Sequence, residues 1–87
     1  MRVDKFLQVS GIVPRRTQAQ DACGRGYVDV DDRRAKPSTP VKIGSRLTVR
    51  LGRRVSVYEV VSLPSRPVPR KSRQEAAKLL SSEGLPD

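Results

Sequence analysis

The sequence predicts an α+β domain: two short N-terminal helices packed on a small, mostly antiparallel sheet, with a C-terminal helical tail. Three observations lead there. Apolar residues recur at helical spacing as far as Cys23 and at strand spacing from Tyr27 onward. Glycines and prolines punctuate the boundaries of those runs. At 87 residues, 36% of them hydrophobic, the chain can bury one small core and no more.

The first helix is expected over Val3 to Ser10. Val3, Phe6, Leu7 and Ser10 follow i, i+3, i+4, i+7 spacing, and Gly11 supplies a C-terminal stop. Arg2 and Lys5 are three apart and can share an adjacent face. Pro14 opens the next element instead of prolonging the first. The second helix carries a narrow stripe of small residues: Ala19, Ala22 and Cys23. Thr17 followed by Gln20 fits a capping box, with a start at Arg15 or Arg16 as the alternative. Gly24 and Gly26 end this helix, one of them in the left-handed conformation.

From Tyr27 the period is two. Val28 and Val30 alternate with Asp29 and Asp31 in a short half-buried strand. Asp31-Asp32 fills a tight turn, because Asp accepts positive φ better than most residues. Arg33 to Lys36 reads as a basic return strand and Pro37 to Pro40 as a loop. Val41 to Gly44 leads into Leu47, Val49 and Leu51, which alternate with Thr48 and Arg50. Gly52-Arg53-Arg54 turns the chain, Val55 and Val57 return it, and Val60-Val61 break the alternation as a bulge or a more buried end. The domain then covers residues 1–63. Residues 64–71 form a proline-rich basic linker, and residues 72–87 a helix and tail. In that tail Ser72 and Glu75 repeat the capping-box pattern, Ala76, Ala77, Leu79 and Leu80 make an apolar face, and Gly84 and Pro86 end it.

Lys and Arg number 18 against 9 Asp and Glu, a net charge of +9. Such an excess repels itself, and an anionic partner relieves it. Phe6, Tyr27 and Tyr58 are the only aromatics, which disfavours recognition by base stacking and favours a reader of phosphates and shape. The chain has no His and one cysteine, Cys23. A disulfide within the chain or a cysteine cluster for metal is excluded, and a thiolate nucleophile would lack its usual base. Cys23 is expected as a small buried hydrophobe. No paired carboxylates, glycine-rich phosphate loop or metal-ligand cluster stands out, so neither enzymatic activity, a cofactor nor a metal is expected. The opening Met1 to Lys5 lacks the apolar region of a signal peptide, and no apolar run approaches the ~20 residues that span a bilayer. A cytoplasmic protein without a membrane partner follows as the expectation.

The segment Arg15-Arg16-Thr17-Gln18 carries the most chemistry. It places two arginines at a helix start, where the positive end of the helix dipole makes unpartnered cations unwelcome. The free N–H groups of that turn attract anions, and an Arg fork can chelate phosphate oxygens through two donors. Arg2 and Lys5 form a second basic patch, and Arg33, Arg34 and Lys36 a third. Arg46, Arg50, Arg53 and Arg54, on the other hairpin, read as a solvated face, with contact to a second RNA element or a protein as the alternative. Asp4 reads as a helix-start residue or an ion-pair partner.

Four motifs stand in order along the chain: Arg2-Val3-Asp4-Lys5-Phe6-Leu7, Arg15-Arg16-Thr17-Gln18-Ala19, Gly26-Tyr27-Val28-Asp29-Val30 and Val41-Lys42-Ile43-Gly44. They resemble the R-L-D-K-x-L opening, the second-helix start, the G-x-V-x-V strand entry and the V-x-x-G-D turn of the ribosomal-protein-S-four-type RNA-binding domain, the αL motif. Arg16 and Ala19 stand in that motif's Arg and Ala places, and the resemblance covers about residues 1–61. The basic segment before Thr17 and Ala35-Lys36-Pro37-Ser38 look most like the RqcP (YabO) subfamily of bacterial ribosome-associated quality control. That resemblance implies a monomeric adaptor that binds large-subunit rRNA and peptidyl-tRNA while a tailing factor of the RqcH type adds alanine. It favours RNA contacts at Arg2, Lys5, Arg15, Arg16 and Thr17; Arg33, Arg34 and Lys36 are expected to join them as a group through their charge, and Gln18 either hydrogen-bonds a sugar or base edge or is a solvated helix residue. A heat-shock-inducible relative that binds dissociated large subunits with nascent chain remains an alternative. So do a targeting domain of an RNA-modifying enzyme, a protein-binding module using the Ala76–Leu80 face, and a DNA binder. The chain departs from the family pattern in two places: Asp31-Asp32 replaces an Asn-Gly turn, and Ser45 replaces the common Asp after Gly44.

Overall fold

In the computed structural model, which describes residues 1–84, the spacing of Val3, Phe6, Leu7 and Ser10 becomes one wholly buried stripe. It lies on α1 (Val3–Val9), with Ser10 at the C-cap and Gly11 leaving in the left-handed region at φ 82°. α2 (Arg16–Gly24) turns Ala19, Ala22 and Cys23 into the same core. The small side chains on that face allow the two helices to approach closely. Gly26, at φ 79°, is the left-handed residue after α2; a Cβ there would also come within 3.0 Å of the Arg34 guanidinium.

The capping box at Thr17 and Gln20 does not form. α2 starts at Arg16, with Arg15 at the cap position in extended backbone and no side-chain cap bond. Gln20 donates to a buried carboxylate on α1 instead, a stronger draw than a solvated helix end.

The period-two runs become β1 (Val28–Val30), β2 (Arg33–Arg34), β3 (Arg46–Leu51) and β4 (Arg54–Val60). With a further strand, β5 (Ala77–Gly84), they form an antiparallel sheet in the order β2-β1-β3-β4-β5. Asp31 and Asp32 hold the β1–β2 turn at φ 51° and 67°. Asp31 also locks this turn to β3: its Oδ1 accepts the Arg46 N–H at 2.9 Å and its own N–H donates to Arg46 O at 2.8 Å. The basic return strand ends at Arg34, with the Ala35 N–H still donating to Val28 O at 2.9 Å, short of the expected Lys36. Lys36 is instead in a local turn with Thr39, whose Oγ1 accepts the Lys36 N–H at 2.8 Å. Val60 is the buried end of β4, and the register shift lies one turn of the pleat earlier, between Val57 and Tyr58 opposite β5.

The helix expected over residues 72–83 is not formed. Arg70–Glu75 makes a 3-10 turn, and β5 runs along β4. The physical reason is the edge of β4, whose N–H and C=O groups need partners. A lone helix of this length is marginal in water, whereas the strand completes a ladder, with Ala77 buried at its start and Ala76 buried just before it. The apolar helical face is thereby split: Leu79 and Leu80 stay 49% and 40% exposed. Gly84 is the last described residue and lies in β5, and the stop assigned to Pro86 lies outside the described residues. The proline-rich connector crosses the end of α1, where the Val68 N–H donates to Val9 O at 2.8 Å. Val3, Phe6 and Leu7 meet Val28, Leu47, Val49 and Val60 in the core. No helix among the described residues is long and apolar enough to cross a membrane.

Candidate RNA-binding site

Asp4 lies in the first turn of α1 and has no solvent exposure. A carboxylate so placed has to be hydrogen-bonded and paired with charge. The Lys5 backbone N–H donates to Oδ1 at 2.7 Å. Three side chains converge on Oδ2: Arg2 Nη2 at 3.1 Å, Gln20 Nε2 at 3.2 Å and Arg16 Nε at 3.6 Å. Burial alone would raise the Asp4 pKa. The Gln20 hydrogen bond, the Lys5 N–H and the Arg16 and Arg2 charges outweigh it and hold the carboxyl below its usual value.

Two elements supply these groups. Arg2 precedes α1, Arg16 is the first residue of α2, and the link between the helices folds back through the Val13 N–H bond to Leu7 O at 3.0 Å. Both arginines keep half of the side chain in solvent, at 50% and 43% exposed, above a carboxylate at 0%. The result is two guanidiniums held side by side at the surface by one buried anchor. Arg15, Thr17 and Gln18 are exposed around the same helix start. Lys5 shares the first turn of α1 and is half-buried.

The loop after β2 closes one side. The Val3 N–H donates to Thr39 O at 2.8 Å, the Asp4 N–H donates to Pro37 O at 3.3 Å, and Arg2 bridges to Pro40. Neither helix start has a side-chain cap from its N-cap residue, but the first N–H groups of α1 are occupied by the loop and by Asp4 Oδ1. The same loop carries exposed Lys36. Arg34 goes elsewhere: its guanidinium lies against Gly26, beyond the far end of α2. A nine-residue helix puts about 13 Å between its two ends. The structure thus gathers Arg2, Arg15, Arg16, Thr17 and Gln18 at one end of the helix pair and sets Arg34 apart at the other, while Arg33 is exposed on β2.

Other charges are neutralised locally. Arg50, read from the sequence as part of a solvated face, pairs with Asp29 at 2.9 Å across the sheet. Arg25 pairs with Asp21 at 2.8 Å along α2. The Cys23 thiol is pushed up to about 11 by burial, with the Asp4 charge adding to it, so it stays protonated at neutral pH. Among the described residues no group of three or more His, Cys, Asp or Glu could hold a metal ion.

Asp4 is both the helix-start residue and the ion-pair partner that the sequence suggested, but its complete burial and its bond to Gln20 were not foreseen. A signal for the first exists: Asp4 and Leu7 are three apart, which puts the carboxylate on the buried side of α1. Nothing in local spacing marks Gln20, because its partner lies on another helix.

Residues 1–47 match the family model of the S4 domain. An RQC P-site tRNA stabilizing factor from Bacillus subtilis (strain 168) is 41% identical over 63 residues, which cover 72% of this chain and 73% of that protein. Another from Helicobacter pylori (strain J99) is 40% identical over 72 residues, covering 82% and 86%. Among solved structures, the trimeric Heat Shock Protein 15 of Vibrio cholerae is similar at a TM-score of 0.86 and 25% identity, covering 93% of this chain and 82% of that one. The solution structure of the hypothetical protein HP1423 gives a TM-score of 0.77 at 34% identity, covering 95% and 100%.

Proposed function

The chain belongs to the S4-domain family and, within it, to the RQC P-site tRNA stabilizing factors, and from that premise we propose a non-catalytic adaptor that steadies peptidyl-tRNA on the large ribosomal subunit. One observation carries the reading: Arg2 and Arg16 stand together over Asp4, beside a helix start with no side-chain cap. Their outward donors suit phosphate oxygens, and the open turn of α2 adds backbone N–H groups of the right polarity. Arg15, Thr17 and Gln18 extend this surface, and Lys5 and Lys36 flank it. Arg33 and Arg34 contact a separate stretch of the same folded RNA.

The binding is selective for shape, because aromatic platforms for splayed bases are missing from this surface. Large-subunit rRNA is one partner and the tRNA the other. The protein acts as a monomer in the cytoplasm, beside an alanine-tailing factor of the RqcH type that performs the chemistry. If about six phosphates are neutralised, affinity drops roughly a thousandfold between 50 and 200 mM salt. The test is crosslinking in cells followed by sequencing of the attached RNA. Large-subunit rRNA together with tRNA is the expected result; small-subunit rRNA alone would overturn the reading.

A further inference from the structure

Two guanidiniums at neighbouring positions repel one another, and each sits on a long, mobile stem. Left alone they would diverge into solvent. Here both are drawn to a single oxygen of a carboxylate that has no exposure of its own. We propose that Asp4, braced by Gln20, is a positioning residue for RNA binding: it fixes Arg2 and Arg16 as one preformed two-pronged phosphate clamp. This rests on the proposed RNA-binding role of the surface.

The geometry supports the assignment at each point. Arg16 turns Nε inward and Arg2 turns one Nη inward, which leaves the remaining donors of both forks for a ligand. Gln20 lies four residues after Arg16 and on its side of α2, so its bond to Oδ2 ties the anchor to the helix that presents Arg16. The Lys5 N–H holds the other oxygen and sets the plane of the carboxylate. A clamp held this way loses less side-chain freedom when RNA arrives than two free arginines would.

Positioning and simple charge make opposite predictions. Asp4→Asn removes a negative charge beside the binding surface, and Coulomb attraction alone would then tighten a polyanion. If Asp4 positions the arginines, Asp4→Asn weakens binding instead, by about tenfold for two side chains released from order. The probe is purified large ribosomal subunits carrying P-site tRNA, and the readout is the dissociation constant of the full chain over a range of salt.

Gln20→Ala is the companion variant, since Gln20 is exposed and its loss leaves the core intact; it is expected to weaken binding two- to threefold. Arg16→Ala should cost clearly less in the Asp4→Asn background than in the wild type, because the clamp is already loose. The salt slope should stay near the wild-type value in Asp4→Asn, since both arginines remain. A folded Asp4→Asn protein that binds as tightly as wild type, or more tightly, overturns the proposal. If thermal melting shows that Asp4→Asn does not fold, Gln20→Ala decides: unchanged binding then overturns it. Wild-type affinity in both Arg2→Ala and Arg16→Ala would instead sink the RNA-binding assignment itself.

Discussion

Arg2 and Arg16 meet at one atom: both guanidiniums reach Asp4 Oδ2, at 3.1 and 3.6 Å, though one precedes the first helix and the other begins the second. This junction joins stability and function. It satisfies a buried charge on its inner side and presents cations on its outer side.

Arg16→Ala should weaken association with ribosomal particles about tenfold and lower the salt slope by about 0.9, the loss of one phosphate contact. Stability should change by no more than about 1 kcal/mol, because Asp4 keeps Arg2, Gln20 and the Lys5 N–H. Binding isotherms at several salt concentrations, together with a melting curve, check both halves. An unchanged slope would place the phosphate contact elsewhere.

Acid should loosen the helix pair in a defined range. The folded Asp4 carboxyl sits below its usual value, so the folded state takes up its proton less readily than the unfolded chain. Its contribution is therefore complete at neutral pH and is lost as pH falls from about 4 through the lower folded value. Melting temperatures measured from pH 7 down to pH 2 should show this loss. The Asp4→Asn protein should show less of it over the same range.

The tail contributes to stability through Arg73. Its Nη2 donates to Gly11 O at 2.9 Å, the carbonyl just past the end of α1. Arg73→Ala should cost about 1 kcal/mol, a fall of roughly 4–8 °C in melting temperature for a domain of this size. Ala76→Glu, which forces a charge into a buried site, should cost about 3 kcal/mol or more. Hydrogen exchange would report the same dependence as protected amides along β5 in the wild type.

The β1–β2 turn carries strain that glycine would relieve. Asp32 has φ 67°, a conformation that costs an L-residue about 1 kcal/mol. Asp32→Gly should raise stability by a few tenths to about 1 kcal/mol, measured by denaturant unfolding. Asp31→Ala should lower it, because Asp31 Oδ1 holds the Arg46 N–H at the start of β3.

Much of this fold was legible in the sequence. The spacing of Val3, Phe6, Leu7 and Ser10 locates α1 and its buried face, and the alternation of Val28 with Val30 and of Leu47 with Val49 locates β1 and β3. The motifs that resemble the S4 family lie in the same segments. Arg2, Arg15 and Arg16 were also legible as candidates, since cations at a helix start demand an explanation. The tail was not. Ala76, Ala77, Leu79 and Leu80 fit a helical face, yet that stretch completes the sheet as β5.

The sequence by itself determined what depends on near neighbours: helix faces, strand alternation, turn residues and the excess of positive charge. These follow from interactions within a few residues, which spacing records directly. Tertiary structure alone decided which oxygen Arg2 and Arg16 share, where Gln20 points, and that residues 77–84 run as a strand. In each case a distant group outcompeted a local one. A buried carboxylate drew Gln20 from the cap it could have made, and the open edge of β4 drew the tail from the helix it could have formed.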